Sequence, residues 1–106
     1  MAGRTHQVVW TQGARNSLDQ VLEYIAEDSP VAAARFLEVV LDTAQSLSFL
    51  AERGRIVPEL RREDIREVFV YSYRMLYEVT GSEIHIVAFL HGARDFGRWM
   101  SEEWPG

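Results

Sequence analysis

Residues 65–90 read IREVFVYSYRMLYEVTGSEIHIVAFL. Val, Ile, Phe and Tyr crowd this stretch, and apolar and polar side chains take turns at a period near two. That is the repeat of pleated strands with one face buried. Ser72 and the pair Gly81-Ser82 interrupt it with turn chemistry. The pattern predicts three strands, Ile65–Tyr71, Arg74–Thr80 and Glu83–Leu90, joined as an antiparallel meander.

Upstream the period lengthens to that of a helix. Ala14, Leu18, Val21, Leu22 and Ile25 form one apolar stripe, with Thr11 as the capping residue before it. Ala33, Phe36, Leu37, Val40, Leu41, Ala44 and Leu47 form a second, ending near Arg53-Gly54. Between them Ser29-Pro30 supplies a capping hydroxyl followed by proline, a strong helix start. So short a connection makes the two helices an antiparallel hairpin. His6 to Trp10 has β character, the polar run Arg55 to Asp64 with Pro58 reads as a loop, and Phe96, Trp99, Met100 and Glu103 fall at helical spacing in the tail. The expected fold is α+β: a helical hairpin packed on one face of a small antiparallel sheet, in the order β-α-α-β-β-β with a short C-terminal tail or helix. A chain of 106 residues fits one domain, 1–106.

Composition narrows the function classes. With 47% hydrophobic and 25% charged residues the chain is an ordinary globular one. It has no cysteine, so disulfide and thiolate chemistry are excluded. Its three histidines lack ligand spacing, so no metal site and no cofactor is expected. Met1 to Gln7 is polar, without the apolar core of a signal peptide, and no apolar run approaches the roughly 20 residues of a bilayer span. The expected compartment is the cytoplasm, with no membrane partner. A net charge of -5, with arginine as the sole basic type, argues against a large phosphate-gripping surface.

Several segments, taken in order, resemble one known family. Asp28-Ser29-Pro30 with Ala32-Ala33-Ala34-Arg35-Phe36 resembles the helix-hairpin turn of the RelE/ParE toxin superfamily, nearer its ParE branch. Gly54-Arg55-Ile56-Val57-Pro58-Glu59 resembles the loop after the second helix in that family. Ile65-Arg66-Glu67 and Tyr73-Arg74-Met75-Leu76-Tyr77 resemble its central strands, and Ile84-His85-Ile86 with His91-Gly92-Ala93-Arg94-Asp95 its last strand and exit. The resemblance runs from about Trp10 to Asp95.

It implies the toxin of a type II toxin–antitoxin pair, neutralised by a cognate antitoxin encoded beside it. ParE-like members poison DNA gyrase without catalysis. RelE-like members cut messenger RNA in the ribosomal A site, with the RNA's own 2′-hydroxyl as nucleophile. That reaction needs a proton acceptor, a proton donor and cations for the phosphorane charge. Arg74 matches the family's arginine on the middle strand, and Arg94 the arginine after the last strand. The basic positions of the preceding strand fall near Ile65 and Glu67, and the C-terminal tyrosine near Met100, so most of the nuclease set is missing. The leading expectation is a gyrase inhibitor. The alternatives are a ribosome-dependent endoribonuclease using Arg74, His91 and Arg94, and an inactive member that only binds antitoxin.

Each signal also has a plainer reading. Arg74 on a central strand suits a structural ion pair with Glu67 or Glu78. Glu23, Glu27 and Asp28 read as a solvated helix face, and the charges of Arg53, Arg55, Arg61 and Arg62 are neutralised by Glu52, Glu59, Glu63 and Asp64. Tyr71, Tyr73, Tyr77 and Phe89 suit the core better than a base-stacking platform. Trp99 and Trp104 lie beyond the last strand in a polar tail. With Arg74 and Arg94 they are the candidates for binding the antitoxin or the target, as aromatic anchors and charged partners of an acidic segment.

Overall fold

The computed structural model describes residues 5–104. The elements run β1 (Gln7–Trp10), α1 (Gln12–Asp28), α2 (Pro30–Ser46), β2 (Arg55–Ile56), β3 (Ile65–Val70), β4 (Tyr73–Val79), β5 (Glu83–Leu90) and α3 (Gly92–Glu102).

The two helices start where side chains relieve orphan amides. Thr11 Oγ1 accepts the Ala14 N–H at 3.2 Å, and Ser29 Oγ accepts the Ala32 N–H at 3.1 Å. Ser29 also closes α1, its own N–H donating to the Ile25 carbonyl, so a single residue joins the two helices. The sequence stripe suggests that α2 reaches Arg53; in the structure it stops at Ser46. There Ser46 Oγ donates to the Thr43 carbonyl at 2.6 Å while accepting from Arg53 Nη1. Leu47 N–H shortens its reach to Ala44, a tightened last turn.

The sheet has five strands in the order β1-β5-β4-β3-β2. The meander β3-β4-β5 is antiparallel as expected, but β1 lies parallel to β5 at one edge, so the sheet is mixed. The segment read as loop contributes β2 at the other edge, where Arg55 faces Glu67 and Pro58 ends the pairing soon after. Gly54 precedes it, and there a Cβ would run into the Glu67 carbonyl and the Tyr77 hydroxyl. The Tyr77 hydroxyl accepts the Gly54 N–H at 2.9 Å and donates to the Ala51 carbonyl at 2.8 Å, which pins this loop to the middle strand.

One bulge decides which side chains share a face. Leu76 pairs with Ala88 but Tyr77 with Ile86, so Val87 is the extra residue on β5. Ile84 and Ile86 therefore face the helical hairpin together with Phe89, while Ala88 and Leu90 turn to the opposite side. On the hairpin side Leu18, Phe36, Val40 and Leu47 pack on Val68, Met75, Tyr77 and Ile84. On the other side α3 lays Phe96 and Trp99 over Val57, Ile65, Leu76 and Leu90. The tail is thus a helix and a third layer that covers part of the second face, where Phe69 stays exposed. No helix among the described residues is long and apolar enough to cross a membrane.

Candidate functional site

Successive residues of a strand point to opposite faces. On β4 this sends Tyr73 toward the hairpin side and Arg74 toward α3. Each nitrogen of the Arg74 guanidinium makes a hydrogen bond there. Its Nε donates to Glu67 Oε1 at 2.6 Å, and Nη2 and Nη1 form a fork on the two Glu59 oxygens at 2.9 and 3.1 Å. The Phe96 ring of α3 covers one face, 4.7 Å from the guanidinium carbon. The second Glu67 oxygen takes Arg55 Nε at 2.6 Å.

Glu67 has no exposed side-chain surface, and Arg74 keeps only 13%. Each of the two Glu67 oxygens accepts from a guanidinium, Arg74 on one and Arg55 on the other, so the buried carboxylate has both oxygens partnered. Burial pulls the Arg74 pKa down, yet the hydrogen bonds to Glu59 and Glu67 outweigh it and leave the pKa raised. The Arg74 hydrogen bond holds the Glu59 carboxyl below its ordinary range. Arg74 is therefore a clamp that joins β4, β3, the β2–β3 loop and α3. Its charge is spent inside the fold.

His91 and Arg94 stand at the start of α3. His91 occupies the N-cap position of α3 without a side-chain capping bond, and its ring sits 4.7 Å from that of Tyr73, the chain neighbour that faces away from Arg74. Its backbone N–H donates to Asp95 Oδ2 at 3.2 Å. Arg94 is exposed on α3 and makes no ion pair or hydrogen bond among the described residues. Arg74 is thus engaged within the fold, the His91 ring packs on Tyr73, and the Arg94 side chain is exposed.

The two tail tryptophans pack against each other. Trp99, expected as an anchor for a partner, is only 4% exposed and packs against Phe96 at 5.7 Å and Trp104 at 5.3 Å. Trp104 is half-buried, with Arg62 lying over its ring at 5.3 Å. They are packed because α3 folds back on the sheet, which leaves their faces for their own core. Of the four aromatics read as core, Tyr77 and Phe89 are buried and Tyr73 is half-buried. Tyr71 is exposed, at a two-residue turn with φ of 54°, its ring stacked 5.4 Å from Phe36.

The sequence named Glu67 as a partner of Arg74 but missed Glu59 and Phe96, which come from a loop and a helix at no readable spacing. It also missed a cleft between α1 and α3. Ser17, Gln20, Tyr24, Tyr73, His91 and Asp95 line that cleft. Among the described residues no group of three His, Cys, Asp or Glu side chains is placed to hold a metal ion.

The pieces match known proteins over most of the length. Residues 8–96 match the family model described as the ParE toxin of the type II toxin–antitoxin system parDE. Two relatives come from Caulobacter vibrioides. Toxin RelE2 is 39% identical over 88 residues, covering 83% of this chain and 97% of the relative. Toxin RelE1 is 31% identical over 91 residues, covering 83% and 95%. Among solved structures, a chain of the chromosomal ParDE toxin–antitoxin system from P. aeruginosa shares the fold at a TM-score of 0.69. It has 19% identity, and the match covers 86% of this chain and all of that one. On the family match and the two relatives, this chain belongs to the ParE toxin family of type II toxin–antitoxin systems.

Proposed function

We propose that this toxin arrests growth by binding DNA gyrase in the cytoplasm, without cutting RNA, and that its cognate antitoxin holds it silent. The observation that carries this reading is the state of Arg74. An RNA-cleaving face needs a cation free to meet the developing phosphorane charge. Here the guanidinium is forked onto Glu59, bound to Glu67 and capped by Phe96. The basic positions that the resemblance places on β3 fall near Ile65 and Glu67 here, both buried and neither cationic. Poisoning by binding requires a shaped surface and no proton relay. Arg94, exposed and unpaired among the described residues, is the member of the original set still open to a partner.

Induction without antitoxin is expected to produce filamentous cells with an SOS response and intact bulk mRNA, and purified toxin to stabilise gyrase cleavage complexes. A second reading, a ribosome-dependent endoribonuclease, is favoured by the names of the two RelE relatives. Rapid codon-positioned mRNA cleavage after induction, with gyrase unaffected, is the outcome that would replace the first reading with this one.

A further inference from the structure

Between α1 and α3, past the end of β5, lies a cleft of about 330 Å3. Its aromatic side is a run of rings, Phe89 parallel to Tyr73 at 5.1 Å and His91 tilted against Tyr73 at 4.7 Å. Tyr24 adds a further ring from α1, 73% exposed. Ser17, Gln20, Tyr24 and Tyr73 line the cleft, and their side-chain polar groups have no hydrogen-bond partner among the described residues. Convergent unused polar groups beside apolar walls are the mark of a binding site.

The charges choose the ligand. Asp95 is already engaged, with the His91 N–H on one oxygen and Arg98 Nη2 at 3.3 Å on the other. Glu103 is the carboxylate left over. It lies against the first turn of α1, where a Cβ on Gly13 would collide with its Oε1, and it has no basic partner among the described residues. The α1 helix also carries Asp19, Glu23, Glu27 and Asp28 against Arg15 alone. A phosphate would be repelled here. A guanidinium is matched by both parts of the cleft, because its plane stacks on aromatic faces and its N–H edge pairs with a carboxylate.

We propose that this cleft receives an arginine side chain from a basic segment of the antitoxin, stacked against Tyr24 and Tyr73 with its N–H edge toward Glu103. The choice of occupant rests on the reading that an antitoxin holds this chain, and the toxin's net charge of -5 makes a basic segment the complementary one.

Calorimetric titration of the full-length toxin with the antitoxin encoded beside it tests this. Tyr24→Ala and Glu103→Gln are each expected to weaken the complex at least tenfold, and Glu103→Gln to make its affinity less sensitive to salt. Glu38→Gln, on the exposed face of α2, is expected to leave it unchanged, and melting curves check that all three variants fold. Wild-type affinity in both cleft variants overturns the proposal. Titration with Nα-acetyl-arginine amide, followed by NMR, is expected to give saturable shifts at Tyr24, Tyr73 and His91 that exceed those from the lysine analogue. No shift at these residues overturns the cleft assignment itself. An antitoxin that fails to bind the wild type defeats the antitoxin reading, and the arginine titration still decides the cleft.

Discussion

The two faces of the sheet are built by different physics. The hairpin face is an apolar core, in which Leu18, Phe36, Val40 and Leu47 meet Val68, Met75, Tyr77 and Ile84. The α3 face is smaller and mixed. Two buried aromatics of a short helix pack beside a carboxylate held by two arginines. Non-directional burial tolerates small shifts of position, whereas the ionic face holds only if every partner arrives. The hairpin face thus makes the fold, and the α3 face fixes one arrangement of the elements that carry the candidate residues.

The comparison breaks most visibly if α3 is not a true layer. Trp99→Ala is expected to destabilise the toxin by about 3–5 kcal/mol, comparable with the roughly 2–5 kcal/mol of Leu47→Ala on the hairpin face. Urea unfolding of both variants measures this. A Trp99→Ala cost near zero would make α3 an appendage. Cutting the ionic face is the next test. Glu67→Ala leaves Arg74 with Glu59 alone, beside a cavity, and is expected to cost about 3 kcal/mol. The pair Glu67→Leu with Arg74→Met is expected to cost far less, since no charge is left buried alone. Equal costs for the single and double variants would mean that packing, and not charge, dominates there.

Smaller effects sharpen the same contrast. Tyr77→Phe removes the hydroxyl that joins Ala51 and Gly54 and leaves the Gly54 N–H buried without a partner, an expected loss of about 1–3 kcal/mol. The smallest effect is a pH dependence. Arg74 lowers the Glu59 pKa from its ordinary 4.5, so the folded state binds this proton less readily than the unfolded chain. The resulting stability is fully present above pH 4.5 and is lost as pH falls through the lower folded value. Glu59 is 45% exposed, so solvent screening holds the contribution under about 1 kcal/mol. Denaturation midpoints from pH 3 to 6 are expected to fall less steeply for Glu59→Gln than for the wild type; parallel curves would show that the fork on Arg74 contributes nothing.

The sequence by itself determined the hairpin, the meander and their order. These depend on local periodicity, on the Ser29-Pro30 junction and on turn residues, all of which act between near neighbours in the chain. It also pointed to the toxin superfamily and singled out Arg74 with Glu67 as a possible partner. Only the tertiary structure decided that β1 runs parallel beside β5, because pairing across most of the chain leaves no local mark. It alone placed the bulge at Val87, which reverses the facing of Ala88 and Leu90. It alone turned the polar tail into a layer that buries Trp99 and brought Glu59 and Phe96 onto Arg74 from two distant elements. A free cation and a clamped one have the same residue name, and the difference between them is made by contacts that chain spacing does not encode.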